Sequence, residues 1–463
     1  MNILLFLIGT NQFERSTFEF LAQQLALRHQ KTVTTVKAIL IPEEPRLVQP
    51  RLHLVREKLL KDLLPKSLYE PLQTVGGVVS WRENYDTQAF EYPYWTAHNY
   101  SCDKMLNSNL MGLLSKDQID VAIVYAGNPC QLAIVHALGI PFIYFDLKGF
   151  TQETIVASNT PWQLTDSSPS LSLASRIFAR ITKGLSLTSE LLVQSSIPYV
   201  SELLSARYLR LDAAIDKIFS EDYEIRRKFK RKFPDVNQIK QSAELYLLNT
   251  DLLLEEPSLS LPSYVHCVGG IHIDEVKPLF YPWNSSIAEA KEGLIIVSLG
   301  TQVDTSKMPA VLVKTMLNVF SKLKDYRIFW RIGGKLALPG IDDLETIPSH
   351  INITTFIPQN ELLANRRTRL FITNGGMNSV MEAVAHGVAI LEQTLMAKLK
   401  ELLNNPKYAR TAKEMSKEFK SRPSTAFQRA LHAIEHVGRH RSAKFYSPQK
   451  PESNICLRVS NKN

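Results

Sequence analysis

The sequence predicts an α/β fold of doubly wound, parallel sheets divided between two domains, and three stretches carry that reading. Ile3–Ile8 is an apolar run that stops at Gly9-Thr10-Asn11-Gln12 and gives way to a helix with Phe18, Leu21, Ala22 and Leu25 on one face, the strand–loop–helix opening of such a domain. Gly293-Leu-Ile-Ile-Val-Ser-Leu-Gly-Thr301 is a second apolar strand ending in a glycine turn. Leu370-Phe371-Ile372-Thr373 stops at Asn374-Gly375-Gly376, and Met377, Val380, Met381 and Val384 follow at helical spacing. Gly387 ends that helix and Val388-Ala389-Ile390-Leu391 reads as the next strand, which completes a βαβ unit. At 463 residues the chain is long enough for two domains with full cores.

The remaining elements follow in order. Val33 to Ile41 is a second strand. Residues 43–110 read as helical and loop-like, with the aromatic run Glu91-Tyr92-Pro93-Tyr94-Trp95 expected to serve packing. Asp120-Val-Ala-Ile-Val-Tyr125 is a buried strand, Ala126-Gly127-Asn128-Pro129-Cys130 leads into a helix from Gln131 to Leu138, and Ile140–Phe145 is another strand. Residues 151–245 are less regular and include a Ser/Pro-rich loop at Thr165–Ser172. The basic run Arg226–Phe233 reads as a solvated helix face with Phe229 and Phe233 turned inward. Tyr326–Arg331 and a run from Ile351 are further strands, and Phe427–Arg439 is a helix.

Composition narrows the function. The chain is 44% hydrophobic and 21% charged, an ordinary globular balance without heptads or low-complexity tracts. A net charge of +9, with a pI near 9.1, is modest over this length. It suits an anionic substrate and requires no nucleic acid. Cys102, Cys130, Cys267 and Cys456 are far apart, so neither a zinc site nor a disulfide framework is expected, and no metal is called for.

The chemistry gathers between Asn352 and Gln393. A helix opening just after a glycine turn directs unpaired N–H groups and the positive end of its dipole at whatever lies above the strand ends, where phosphate is the natural guest. Asn378 and Ser379 lie in that first turn. Phe356 offers a flat ring for a flat base and Glu382 a bidentate acceptor for a diol. The run FIPQNELL followed by FITNGGMNSVMEAVAHGV resembles the donor-binding signature of the UDP-glycosyltransferases, the glucuronosyltransferase-like enzymes of animals. The intervals from Phe356 to Gln359, Asn374, Gly376, Asn378, Ser379 and Glu382 are those of that signature.

The resemblance implies a GT-B architecture, two Rossmann-like domains facing one another across a cleft. Residues 1–250 would form the acceptor-binding domain, 251–290 the linker, and 291–463 the UDP-sugar-binding domain, with its C-terminal helix packing back on the first. It implies that Phe356 stacks on uracil with Gln359 beside it, that Asn374, Gly376, Asn378 and Ser379 hold the diphosphate with Ser298 and Thr301, and that Glu382 takes the ribose hydroxyls. The implied reaction moves a hexosyl group from UDP-glucuronate or UDP-glucose to a small lipophilic acceptor, with inversion and no cofactor. Association with copies of itself or with related transferases is also implied.

Departures from the family pattern fall at the catalytic end. The family's catalytic histidine is replaced by Glu14 and the aspartate that orients it by Tyr125; a first-turn glutamate is also favoured by the helix dipole alone. The histidine of the phosphate turn is Asn374. After Ile390 a segment of the family pattern is missing, so the sugar-gripping Asp-Gln positions fall by direct count on Lys398 and Leu399, and Ala389 to Leu403 is expected to be disordered or out of register. The family is held in the endoplasmic reticulum by a signal peptide and a C-terminal membrane helix. Ile3–Ile8 is too short for such a signal, and no run near the end approaches the roughly 20 apolar residues of a membrane span. Three readings stay open: an active transferase, a pseudoenzyme or interaction subunit that keeps the nucleotide end, and a spliced product that lacks a segment.

Overall fold

The structure is a computed structural model that describes residues 1–9, 12–28, 31–39, 54–79, 87–106, 108–126, 128–158, 160, 236–255, 261–301, 303–333, 336–391 and 399–443. The serine/proline loop at 165–172, the basic run at 226–233, Lys398 and the tail from 447 lie outside the described residues. Among the described residues the strands form two sheets, and every pairing between named strands is parallel.

The first sheet begins with β1 (Asn2–Gly9), which leads to helix α1 (Gln12–Ala26), β2 (Thr32–Ile39) and β3 (Arg56–Leu60). Helix α2 (Thr87–Leu106), β4 (Val121–Tyr125), α3 (Pro129–Leu138), β5 (Phe142–Asp146), β6 (Leu245–Leu248) and β7 (Val265–Cys267) complete it. Its order is β3-β2-β1-β4-β5-β6-β7. Strands β4, β5 and β6 are buried at every position, as expected of parallel strands covered by helices on both faces. The predicted helix face is the one that packs, because Phe18, Leu21, Ala22 and Leu25 are all buried in the core beneath β1.

The second sheet is built from β8 (Gly293–Ser298), β9 (Tyr326–Arg331), β10 (Ile351–Thr354), helix α4 (Gln359–Ala364), β11 (Thr368–Thr373), helix α5 (Met377–His386) and β12 (Ala389–Leu391). Its order is β10-β9-β8-β11-β12. Three helices follow: α6 (Leu399–Asn404), α7 (Pro406–Lys420) and α8 (Ala426–His440). The last begins with a capping box, in which Thr425 and Gln428 satisfy each other's backbone N–H groups. Its apolar face, Ala430, Ala433, Ile434 and Val437, is buried in the core of the first sheet.

Several expectations are corrected. Residues 43–110 are not only helix and loop, because β3 pairs with β2 from Thr34↔Arg56 to Ala38↔Leu60. Its charged Arg56, Glu57 and Lys58 hide the strand signal, as suits a strand at a sheet edge. The first sheet runs on to β7, a strand that falls inside the stretch expected as linker. Among the described residues, both ends of the stretch from Ala389 to Leu403 are regular where disorder was expected. Leu370, Phe371 and Ile372 pair in register with Ala389, Ile390 and Leu391, α6 is a helix, and 392–398 lie outside the described residues. Strand β12 ends the sheet, so its pairing with β11 is complete without any further unit beyond it.

The cysteines are the last correction. Cys102 on α2 and Cys130 at the start of α3 form a disulfide with Cα atoms 5.8 Å apart. Distance along the chain does not measure distance in space, and here helices α2 and α3 pack together and bring the pair into contact. Cys267 is a free buried thiol, pushed up to about 12 by burial. No helix among the described residues is long and apolar enough to cross a membrane. Reducing the Cys102–Cys130 bond, which closes a separation of 28 residues, is expected to cost about 2–4 kcal/mol. Melting with and without reductant, and of Cys102→Ser, measures it; equal melting temperatures would show that the bond constrains nothing.

Candidate functional site

In an open parallel sheet, ligands settle at the carboxyl ends of the strands where the strand order reverses. The second sheet reverses between β8 and β11. There Ser298 and Thr373 are register partners at adjoining strand ends, and both are buried. The two glycine turns that follow lie against each other. Gly300 has φ of +81°, and a Cβ built on it would stand 3.0 Å from the Asn374 amide, so only glycine lets the β8 turn sit on the β11 turn. Asn374 Oδ1 in turn accepts from the Gly376 N–H at 3.4 Å. Arg331, partner of Ser298 at the end of β9, donates to the Gly300 carbonyl at 3.1 Å. Burial lowers its pKa from the ordinary value. Thr301 is exposed beyond the turn.

Helix α5 starts immediately after Gly376 with no side-chain cap, leaving first-turn N–H groups to meet whatever stands above the strand ends. One turn in, its side chains meet α4. The Gln359 amide donates to Ser379 Oγ at 3.2 Å and to Glu382 Oε2 at 2.8 Å. Because Ser379 accepts there, its own proton is left to donate. Phe356 lies just before α4 and is 67% exposed, so it is not a core residue. The Thr354 hydroxyl donates to the Phe356 carbonyl and accepts from its N–H, at 2.9 and 3.3 Å, which fixes the backbone that presents the ring. Gln359, Ser379 and Glu382 are therefore one hydrogen-bonded group, with Phe356 exposed nearby in sequence.

Asn378 goes elsewhere. Its Nδ2 donates to Thr17 Oγ1 at 3.0 Å and its Oδ1 accepts from Asn249 Nδ2 at 2.8 Å. Thr17 lies on α1 and Asn249 just after β6, both fully buried. The expected phosphate ligand is thus a bridge between the two sheets. Gly149, after β5, allows the approach, since a Cβ there would stand 2.9 Å from Met377 Cε. Thr17 and Asn249 were missed by sequence reading; the only local sign was the polar run Asn249-Thr250-Asp251 directly after a buried strand. All three of those side chains are fully buried, and Arg422 from the α7–α8 turn pairs with Asp251.

The catalytic end is less complete. Glu14 stands in the first turn of α1, and its side chain lies outside the described residues. Tyr125 ends β4 buried edge-to-face against Phe18, with ring centroids 6.4 Å apart. Its backbone N–H donates to Gln131 Oε1 at 3.0 Å. A residue set into the core this way does not supply the charge of an aspartate. His98 is nearby, its Nδ1 3.5 Å from Asn128 Nδ2, but burial pushes it down to about 3, which makes it a poor base. The expected packing role of the aromatic run holds for Tyr94 and Trp95, both buried around His98. Asp120 accepts from the Asn2 N–H at 2.7 Å and serves structure. Leu399, at the counted place of the sugar-gripping glutamine, is 1% exposed in the second core and cannot hold a sugar.

Asn378→Ala removes both hydrogen bonds of the bridge, and about 1–3 kcal/mol of stability is expected to go with them. Urea unfolding reads the loss. An unchanged transition would mean that the two sheets are held without it.

The chain matches the family model described as UDP-glucoronosyl and UDP-glucosyl transferase over residues 57–398, well over half its length. It is 24% identical to UDP-glucuronosyltransferase 2B14 of Oryctolagus cuniculus over 389 residues, covering 75% of this chain and 67% of that protein. With UDP-glucosyltransferase 2 of Dactylopius coccus it shares 25% identity over 248 residues, 47% of this chain and 46% of that one. With human UDP-glucuronosyltransferase 2B15 it shares 24% over 469 residues, 90% and 80%. The chain therefore spans from under half to four-fifths of the length of these relatives. Among solved structures, Phytolacca americana UGT2 complexed with UDP-2-fluoro-glucose and pterostilbene superposes with a TM-score of 0.57 at 14% identity, covering 95% of this chain and all of that one. The glycosyltransferase VinC in complex with dTDP gives 0.56 at 13%, with 95% and 100% covered. The fold is GT-B, and the chain belongs to the UDP-glucuronosyl and UDP-glucosyl transferase family.

Proposed function

We propose that this chain transfers a hexosyl group from a UDP-sugar to the hydroxyl of a small lipophilic acceptor, with inversion at the anomeric carbon. The observation that carries the reading is the hydrogen-bonded group of Gln359, Ser379 and Glu382 beside the uncapped start of α5. Uracil stacks on the exposed Phe356 ring, and Glu382 accepts from the ribose diol. The diphosphate meets the first-turn N–H groups of α5 with the Ser379 hydroxyl, while Ser298, Thr301, Asn374 and Gly376 line the turns around it. Arg331 adds positive charge behind the β8 turn. Asn378 serves this site by holding it against the first sheet.

In the transfer step the acceptor oxygen attacks C1 of the sugar, its proton passes to a base, and UDP leaves from the opposite face. Glu14 is the base in this reading. It sits at the head of α1, which follows the carboxyl end of β1, where the first sheet also reverses its order, between β1 and β4. A carboxylate can do this work when its surroundings raise its pKa toward that of the medium. The Cys102–Cys130 bond supports an oxidising compartment such as the lumen of the endoplasmic reticulum.

Three experiments test the reading. UDP is expected to raise the melting temperature more than UMP or ADP does, and Phe356→Ala to weaken UDP binding by about 1–3 kcal/mol, as loss of a ring stacked on a base does, without lowering the melting temperature. Equal responses to the three nucleotides would sink the uridine site. Glu14→Gln is expected to reduce turnover by about 10²–10⁴-fold, the usual worth of a general base, with UDP affinity intact. Turnover at the rate of the unaltered chain would remove Glu14 from the mechanism.

A further inference from the structure

Glu382 has a second neighbour that the family signature does not include. His272 follows β7 by five residues, and its Nε2 lies 3.3 Å from Glu382 Oε1. Both side chains are nearly buried, 12% and 13% exposed, and neither ring nitrogen of His272 has a hydrogen-bond partner among the described residues. A buried imidazole with nothing else to bind is costly, so the carboxylate it faces is the group that accounts for it. The opposite oxygen, Oε2, is taken by Gln359 at 2.8 Å. A carboxylate offers about four lone-pair positions. Gln359 holds one oxygen by a hydrogen bond and His272 stands at ion-pair distance from the other, which restricts the orientation of the group and leaves its remaining positions for the two hydroxyls of a ribose.

The position of His272 is itself tightly set. A Cβ on Gly269 would stand 2.6 Å from the Thr250 backbone and 2.9 Å from Met381 Sδ, and one on Gly270, whose φ is +81°, would stand 3.1 Å from Phe419. The Gly269 N–H donates to the Thr250 carbonyl at 2.8 Å. The turn carrying the imidazole is thus pressed between the end of β6, the residue next to Glu382, and α7. We propose that His272 is a positioning residue for ribose recognition: it orients Glu382 from the segment between the two sheets, and thereby sets the preference for a ribonucleotide. This rests on the reading of Glu382 as the ribose acceptor.

The test titrates the full chain calorimetrically with UDP and with 2′-deoxy-UDP. The unaltered chain is expected to favour UDP by about tenfold or more, the worth of one hydrogen bond to a charged group, and Glu382→Ala to abolish that preference. His272→Ala is expected to bring the ratio close to that of Glu382→Ala, and His272→Gln, which keeps a donor, to retain part of it. Should His272→Ala melt early, His272→Gln and His272→Leu carry the comparison. A His272 variant that weakens both nucleotides equally, or neither, keeps the ratio and overturns the proposal. A failure of the underlying reading shows in the unaltered chain instead, as no UDP binding or no preference over the deoxy form, and the proposal falls with it.

Discussion

The two hydrogen bonds of Asn378 are the contact on which the arrangement turns. One amide reaches from the first turn of a helix of the second sheet to Thr17 on the first helix of the chain and to Asn249 beyond the sixth strand. Both partners are buried, where a hydrogen bond left unmade costs more than a satisfied one contributes. The amide orientation is therefore strongly determined, and with it the approach of Met377 to Gly149. The start of α5 is held against the ends of the first sheet. The Asn378 side chain is committed to these two bonds.

Sheet order explains why these groups converge. In each sheet the chain winds outward from a central strand in one direction and then in the other, opening a crevice where the directions part. In the second sheet the crevice lies between β8 and β11, whose ends carry Ser298 and Thr373 in register and then two facing glycine turns. In the first it lies between β1 and β4, whose ends lead to α1 and to Tyr125. The crevice of the second sheet is the more complete. Its polar groups satisfy one another, whereas on the other side Tyr125 is absorbed into packing with Phe18.

The chain after Ile390 leaves the second sheet at an edge rather than in its middle. Strand β12 is an edge, and its inner side keeps full pairing with β11. Helix α7 covers the neighbourhood: the Ser416 hydroxyl donates to the Ala385 carbonyl at 2.7 Å, and a Cβ on Gly387 would stand 3.1 Å from Ser416 Cβ. Leu399 fills the second core together with Leu402 and Leu403. An apolar core residue, Leu399, thus stands where the family pattern expects a polar one.

Much of the fold was legible in the sequence because period and punctuation are local properties. Apolar runs, helical faces and glycine turns placed most strands from β1 to β12 to within a few residues, but not β3, whose charged residues carry no apolar signal, nor β7, which falls in the stretch expected as linker. The spacing from Phe356 to Glu382 survives intact, and so the hydrogen-bonded group of Gln359, Ser379 and Glu382 could be anticipated from one stretch of chain. Tertiary structure alone decided the rest. Thr17 lies 361 residues from Asn378 and Asn249 lies 129 from it, while Cys102 and Cys130 meet across two helices. A local pattern tells which face of an element is buried but never which residue it is buried against. That choice follows from the packing of layers distant in sequence, and it turned an expected phosphate ligand into the bridge between the two sheets.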